Sequence, residues 1–175
     1  MFNSRHLFVT ITLTFISQQA FASIFELESN DIQSGHMLTD AQVFNGFSCH
    51  GENISPELHW SGEPEGTRSF AITVYDPSAP SVSGWWHWIV ANISVQVHKL
   101  KRDASQISGK SLPEGAVQGR NDYGFAGFGG ACPPEGFKVH PYIFTVWALN
   151  TEKLPVSNSS SGAAVGYQLL KHKLA

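Results

Sequence analysis

The sequence predicts a mostly β protein, and three observations support that fold class. The chain has 16 glycines, 9 prolines and 12% aromatic residues, which indicates many turns and aromatic-rich strands. Apolar and polar side chains alternate along several segments, as they do on strands with one buried face. Hydrophobic residues make up 42% of the 175 residues, so a sizeable core is expected and wholesale disorder is excluded.

The first 22 residues have the three parts of a secretory signal peptide. Arg5 supplies a positive charge, residues 7–16 are mainly apolar, and Ala20-Phe21-Ala22 forms a small-x-small cleavage site. The alternative is an N-terminal membrane anchor, but the apolar run is too short to cross the hydrocarbon core as a helix. No other segment approaches transmembrane length. We expect cleavage near Ala22–Ser23 and a periplasmic or secreted product.

The mature chain, residues 23–175, is predicted to form a single domain with one disulfide. Export places the chain where disulfides persist, and Cys49 and Cys132 are its two cysteines, so only one internal pairing exists. Their spacing fits neither a CxxC redox motif nor a zinc-ligand cluster. The alternative is two buried free thiols.

Alternation predicts two long strands in the first half of the domain. Along Ser69–Tyr75, Phe70, Ile72 and Val74 share one face. The second strand covers residues 86–93, where a period of two places Trp86, Trp88 and Val90 opposite His87, Ile89 and Ala91.

A third long strand and several shorter elements complete the expected fold. Tyr142–Leu149 is apolar on both faces, which is typical of a central strand. A helix is expected through residue 170, capped by the serines at 159–161 and weakened at Gly166 by about 1 kcal/mol relative to alanine. Shorter strands are predicted at Ile24–Leu27, Leu58–Trp60 and Ala116–Gly119.

The charge composition argues against several kinds of partner. Only 14% of the residues are charged, and Lys+Arg 11 against Asp+Glu 14 gives a net charge of −3. Electrostatic binding to nucleic acid or anionic membranes normally needs an excess of basic residues, so no nucleic-acid partner is expected. Zincin, α/β-hydrolase and Rossmann chemistry have no support, because HExxH, GxSxG and GxGxxG motifs are lacking.

Residues suited to binding concentrate in two long loops, 76–85 and 121–141, and in the strands beside them. Asp76 ends a strand, His87 opens the next one among tryptophans, and His140 precedes the last one. The glycine-rich segment 127–134 allows close approach of the backbone, with amides free to face an anion. Together these features indicate a ligand site at strand–loop junctions.

These motifs resemble the phosphatidylethanolamine-binding protein family, also called Raf-kinase-inhibitor-like proteins. The resemblance covers nearly all of the mature chain, and the motifs occur in the family's order. The segments that carry it are DPSAP at 76–80, WWHW at 85–88, GFGGACPP at 127–134, HPY at 140–142 and, as in the bacterial branch, FSCHGENISPELHW at 47–60.

The resemblance implies a β-sandwich built around a large antiparallel sheet with few short helices. It also implies a small surface pocket for phosphorylated or carboxylate groups, such as phospholipid headgroups. By motif, Asp76 matches the family's first aspartate, His87 its W-x-H histidine, and His140 and Tyr142 its H-x-Y pair. The wall of the pocket is matched by Gly129, Gly130, Pro133 and Pro134.

Two departures from the family pattern bear on the expected site. Ser78 stands where the family usually has a second aspartate, which removes a negative charge near the pocket. The chain ends at Ala175, shortly after the expected helix, where relatives commonly continue into another short strand.

The main hypothesis is an exported, non-enzymatic protein that binds a phosphate-like anion and needs no cofactor. His87 and His140 would donate hydrogen bonds, with the Tyr142 hydroxyl beside them, while Asp76 orients an imidazole or meets an ammonium group. Trp86 or Trp88 would form an aromatic wall for such a cation.

Two alternatives use the same residues. Asp76, His87 and His140 would be the ligands of a two-histidine, one-carboxylate metal site in a hydrolase, although no short spacing enforces that geometry. The third hypothesis is a protein-interaction or inhibitor module that recognises a protein partner.

Overall fold

The strands pair into two antiparallel sheets and a separate hairpin. This computed structural model describes residues 24–106, 109 and 111–175, so the predicted signal peptide and its cleavage site lie outside it. Its elements are β1 (Glu26–Glu28), β2 (Asn45–Gly46), β3 (Cys49–His50), β4 (Leu58–Ser61), β5 (Ser69–Asp76), β6 (Trp85–Ser94), β7 (Lys99–Leu100), β8 (Val117–Gln118), β9 (Ile143–Leu149) and helix α1 (Gly162–His172), with a 3-10 turn at Asp40–Gln42.

The main core lies between the two sheets. The larger sheet has the order β8-β6-β5-β9 and the smaller one the order β1-β4-β7. Phe70, Ile72 and Val74 of β5 face Leu58 and Trp60 of β4 in one buried cluster. The mostly β sandwich expected from the sequence is confirmed.

Helix α1 covers the other face of the larger sheet. Val165 and Leu169 of α1 are buried against Ala71 of β5 and Ile89 of β6. The predicted serine cap is present, since the side chain of Ser161 accepts a hydrogen bond from the helix's first turn. The larger sheet is thus covered on both sides, which explains the apolar character of its strands. No helix in the described residues is long and apolar enough to cross a membrane.

A bulge in β6 changes the face on which Trp86 lies. Val74 pairs with Trp88 and Tyr75 pairs with Trp86. The register therefore shifts between these pairs, and no residue of β5 pairs with His87. Trp88 therefore packs in the core between the sheets, whereas Trp86 packs against the cluster on the helix side. The prediction that both tryptophans share a face was wrong, because unbroken alternation does not reveal a bulge.

Strand β9 lies at the edge of the larger sheet, contrary to the prediction of a central strand. Its two faces are apolar because the facing sheet covers one and the helix side covers the other. The C-terminal residues satisfy part of its outer edge: Ala148 N–H donates to the Ala175 carbonyl over 3.0 Å, and Leu174 N–H donates to the Ala148 carbonyl over 2.7 Å.

Candidate functional site

A cavity of about 630 Å³ opens where β5 ends, β6 begins and the chain enters β9. The two long loops and the β2–β3 hairpin form its walls. Its lining residues are Phe47, Ser48, Cys49, Asp76, Ala79, Pro80, Ser81, Trp85, His87, Tyr123, Cys132, Pro133, Pro134, Glu135, His140 and Tyr142.

Asp76 and His140 form a buried pair at this cavity. The Nδ1 atom of His140 lies 2.7 Å from Oδ2 of Asp76, and both side chains are almost fully buried. The other carboxylate oxygen, Oδ1, accepts the backbone N–H of Ser78 over 2.8 Å. Because a carboxylate accepts hydrogen bonds, Nδ1 of His140 is the donor, and only Nε2 of that ring is left for a ligand.

His87, the bulge residue of β6, is buried beside this pair. Its Nδ1 lies 2.7 Å from the carbonyl oxygen of Gly129, and the backbone N–H of Gly129 donates to the His87 carbonyl over 2.9 Å. Burial lowers the pKa of His87, while the carbonyls of Gly129 and Gly130 and the negative charges of Asp76 and Asp122 partly oppose that effect. Burial therefore favours the neutral form of the His87 ring.

Two tyrosines enclose the His87 ring. Tyr142 and Tyr123 each meet it edge to face, with ring centroids 5.0 Å and 5.6 Å away. Burial, helped by the charge of Asp76, raises the pKa of Tyr142 to about 12, so its hydroxyl stays protonated; a hydrogen bond from the backbone of Cys132 opposes this shift. Burial also raises the pKa of Tyr123, whose hydroxyl donates to the Gly130 carbonyl over 3.0 Å.

Gly129 and Gly130 of the second loop serve close packing, and neither presents a free amide. The Gly129 N–H is bound by the His87 carbonyl, and the Gly130 N–H donates to Oδ1 of Asn53 over 2.7 Å. A Cβ on Gly129 would lie 2.2 Å from the ring of Tyr123, and one on Gly130 would lie 2.2 Å from the Gln42 carbonyl. The expectation that these amides face an anion was wrong, because the fold already pairs both of them.

The turn between β2 and β3 contributes a part of the site that sequence reasoning missed. Phe47 and Ser48 have positive φ values of 50° and 71°, and both line the cavity. Such backbone is uncommon outside glycine, asparagine and aspartate, so the residue types give no signal of the tight turn. The Cys49–Cys132 disulfide ties this turn to the loop that carries Pro133, as predicted from the sequence.

The cavity brings together most of the predicted site residues. Six of them line the cavity: Asp76, His87, His140, Tyr142, Pro133 and Pro134. Gly129 and Gly130 are not among the lining residues. Trp86 is not a lining residue, since the bulge turns it toward Gly162 of α1. Trp85 and Tyr123 supply the aromatic surface instead, and both belong to the loops that the sequence had marked.

The donor set of the alternative metal site does not converge. Within the described residues, no group of three or more His, Cys, Asp or Glu side chains is arranged to hold a metal ion. Asp76 and His140 are in contact, but His87 directs its Nδ1 to a backbone carbonyl.

Comparison with known proteins adds evidence that does not depend on the cavity. The family model described as phosphatidylethanolamine-binding protein matches residues 28–175. The UPF0098 protein YbcL of Escherichia coli K12 is 59% identical over 171 residues, which cover 98% of this chain and 93% of that protein. The UPF0098 protein YbhB of the same organism is 46% identical over 151 residues, covering 86% of this chain and 94% of that protein.

Solved structures support the same relationship. The crystal structure of E. coli YbcL, described as a new member of the mammalian PEBP family, superposes with a TM-score of 0.85 at 61% identity. The match covers 86% of this chain and 92% of that one. A Chlamydia trachomatis homologue, CT736, gives a TM-score of 0.69 at 27% identity, covering 86% of this chain and 91% of that one.

Proposed function

The chain belongs to the phosphatidylethanolamine-binding protein family, and from that premise we propose that it is an exported binding protein whose cavity holds a phosphorylated ligand. Family membership supports a binding role. The anionic ligand, the absence of a chemical step and the exported location are the parts that we propose.

The observation that carries the proposal is the buried polar group at one end of an aromatic cavity. His140 pairs through Nδ1 with Asp76, and its Nε2 is left for a ligand. Nε2 of His140 is therefore an atom that we expect to contact the ligand. The Tyr142 hydroxyl supplies a hydrogen-bond donor, because its raised pKa keeps it protonated.

The negative charge of Asp76 does not prevent an anion from binding nearby. One carboxylate oxygen accepts from His140 and the other from the Ser78 backbone, so both are already hydrogen-bonded. The serine at position 78 also leaves this loop without the second carboxylate that the family usually carries. The mouth of the site is therefore less negative than the family pattern would make it.

The aromatic walls suit the remainder of an organic phosphate. Trp85, Tyr123 and Phe47 line the cavity, and a headgroup ammonium would lie favourably over such rings. The proposal therefore covers phospholipid headgroups as well as soluble phosphate esters.

Export is supported by the N-terminal sequence and by the disulfide. Residues 1–22 carry the pattern of a signal peptide, and Cys49 and Cys132 are bonded in the structure. Disulfides of this kind persist in oxidising compartments. A periplasmic or secreted location fits both observations.

Calorimetric titration of the mature protein with inorganic phosphate tests the function. The variant His140→Asn keeps an amide donor for Asp76 but lacks the Nε2 position, so the fold is retained and the ligand contact is lost. We expect saturable binding that chelator leaves unchanged, weakened by about 1.5–3 kcal/mol in the variant. Absence of phosphate binding would contradict the proposal, and chelator-sensitive binding would favour the metal alternative.

A protein partner remains the second candidate, because apolar side chains surround the mouth. Phe47 lines the cavity and is 73% exposed, and Val82 and Val139, adjacent to lining residues, are also exposed. Such side chains suit a contact surface. One result distinguishes the two candidate functions. If the correctly folded protein bound no phosphate, the role in binding a protein partner would be favoured.

A further inference from the structure

Helix α1 carries apolar side chains on its solvent face as well as on its buried face. Val165 and Leu169 pack against the larger sheet, whereas Tyr167 and Leu170 are 66% and 63% exposed. Ala163 is exposed too, and the spacing of 163, 167 and 170 places these three side chains along one side of the helix. A surface helix normally carries polar residues on that side.

Basic residues lie beside this apolar stripe. Lys171 follows Tyr167 by four positions, so the two side chains are neighbours on the helix surface. Lys173 caps the end of the helix, and both lysines are exposed. The stripe and the two lysines form a surface that we call the helix patch: Ala163, Tyr167, Leu170, Lys171 and Lys173. None of these residues lines the cavity.

Charge is distributed unevenly along the chain. All 14 acidic residues precede residue 153, whereas residues 153–175 contain Lys153, Lys171 and Lys173 and neither aspartate nor glutamate. The net charge of −3 therefore hides a basic C-terminal segment. Such an asymmetry indicates a region that meets an anionic surface.

Acidic residues of neighbouring loops offset this charge only in part. The loop after β9 is hydrogen-bonded to the end of the helix and contains Glu152, which is paired with Arg68 over 2.8 Å. Glu65 is exposed beside Gly66, where a Cβ would lie 3.9 Å from Leu174. A basic surface therefore remains at this end of the helix.

We propose that the helix patch docks the mature protein on a bilayer that contains anionic lipids, with α1 parallel to the surface. Leu170 would enter the interfacial region, Tyr167 would lie at headgroup level, and the lysines would meet lipid phosphates. The 11-residue helix is about 16 Å long, so it lies on the bilayer without crossing it. The inference goes beyond the proposed function, because it concerns a different surface from the cavity.

The charge of the patch favours a membrane over a second copy of the chain. A two-fold contact would place the same patch on both sides, and the patch contains lysines but no acidic residue to pair with them. An anionic lipid surface complements both the lysines and the apolar stripe.

Cosedimentation of the mature protein, residues 23–175, with lipid vesicles tests the proposal. One set is phosphatidylcholine alone, and the other is an equal mixture of phosphatidylcholine and phosphatidylglycerol. We expect binding to the mixed vesicles at low salt, and at least about tenfold weaker binding to phosphatidylcholine alone or at about 0.5 M salt. Equal affinity for the two sets, or no binding to either, would overturn the inference.

Matched variants locate the contact. Lys171→Gln combined with Lys173→Gln should weaken binding about 25-fold, since each lysine near an anionic surface contributes about fivefold. Tyr167→Ser combined with Leu170→Ser should weaken it by at least about tenfold, because the apolar contact is lost.

Controls remove the same groups elsewhere on the surface. Lys101→Gln combined with Lys138→Gln takes away the same charge, and Met37→Ser takes away an apolar side chain that is 75% exposed. Both controls should bind within about twofold of the unmodified protein, since the surface potential acts only over about a Debye length. Controls weakened as much as the patch variants would overturn the inference.

Two further measurements separate this surface from other roles. Sedimentation velocity without lipid should show a monomer, and a dimer that is lost in Tyr167→Ser combined with Leu170→Ser would replace the membrane by a second copy. Calorimetry with inorganic phosphate should give the same affinity for the patch variants as for the unmodified protein. Phosphate binding without vesicle binding would overturn this inference and leave the proposed function in place, and the reverse result would overturn the proposed function alone.

Discussion

Two histidines at one end of the cavity use the same ring nitrogen for different partners. His140 donates from Nδ1 to the Asp76 carboxylate, and His87 donates from Nδ1 to the Gly129 carbonyl. Burial lowers the pKa of His87, which favours its uncharged ring. Each ring uses Nδ1 within the protein, so only its Nε2 atom is left for a ligand.

The buried state of His87 also affects stability as the pH falls. An unfolded imidazole takes up a proton near pH 6.5, whereas the pKa of His87 in the folded protein is lower. Below about pH 6.5 the unfolded state therefore binds more protons, and the free energy of unfolding decreases until the folded ring titrates as well.

His87→Asn isolates this contribution, since the amide keeps the hydrogen bond to Gly129 but does not titrate. Urea unfolding at about pH 7.5 and pH 5.5 should show a smaller loss of stability in the variant than in the unmodified protein. Equal losses in the two proteins would show that His87 is not held neutral by the fold.

The pairs formed by His87 and His140 could not be read from the sequence. The motifs identified both rings, but the acceptors of their Nδ1 atoms lie 42 and 64 residues away along the chain. The sequence therefore predicts both histidines as anion donors but does not show which ring nitrogen remains free.

At the scale of elements, Gly162 allows helix α1 to approach Trp86 closely. A Cβ on Gly162 would lie 2.2 Å from the ring of Trp86, whereas one on Gly166 would lie 3.6 Å from the same ring. The bulge at His87 turns Trp86 toward the helix. Because Trp86 lies there, the helix needs a residue without a Cβ at position 162.

Alanine substitutions at the two glycines should have opposite effects. Gly162→Ala should lower the free energy of unfolding by about 1–3 kcal/mol, because the added methyl group overpacks against Trp86. Gly166→Ala should raise it by about 0.5–1 kcal/mol, because alanine favours the helix and the space is adequate. Urea denaturation of both variants measures the difference. A stabilised Gly162→Ala would mean that Trp86 does not pack as described.

The β2–β3 hairpin is held to the cavity wall by the disulfide. The bond joins Cys49 to Cys132 across 83 residues of sequence, and both cysteines line the cavity. Closure of a loop of this length reduces the entropy of the unfolded chain, which stabilises the protein by on the order of 4 kcal/mol.

Replacing both cysteines by serine should lower stability by about that amount and weaken phosphate binding. The second effect is expected because the turn at Phe47 and Ser48 would no longer be tied to the wall. Reduced, unmodified protein is the control and should match the double variant in chemical denaturation and calorimetry. Unchanged affinity in both samples would show that the hairpin does not shape the site.

Most elements could be predicted, but not the irregularities that shape the cavity. Alternation identified β5 and β6, and the serine cluster identified the start of α1. The bulge at His87 and the Phe47–Ser48 turn could not be predicted. Each depends on pairing with residues elsewhere, and neither has the residue types that usually indicate such a feature. The edge position of β9 was hidden by the layers that cover its faces.

At the scale of the whole molecule, the end of the sandwich that carries the cavity is separate from the core. The buried cluster between the sheets and the cluster under α1 hold the layers together. The cavity lies where β5 ends and β6 begins, and loops form most of its walls. The larger sheet thus positions Asp76 and His87, and loops position most of the other lining residues.

The proposed export concerns the whole chain and has a simple test. The signal-peptide pattern predicts cleavage between Ala22 and Ser23. Intact-mass analysis of protein recovered from the periplasm or the medium should give a chain that begins at Ser23 and has lost two hydrogens through the disulfide. An exported product that retained residues 1–22 would contradict this prediction.

The central claim is that the cavity at His87 and His140 holds a phosphate ligand. Long-range ¹H–¹⁵N NMR spectra of the histidine rings test it most directly, because every imidazole nitrogen is observed during one titration with methyl phosphate. We predict saturable shifts of the Nε2 signals of His87 and His140, with the exposed His36 unchanged. If neither Nε2 signal shifted at a saturating concentration of methyl phosphate, or if only the signals of other histidines shifted, the account would be contradicted.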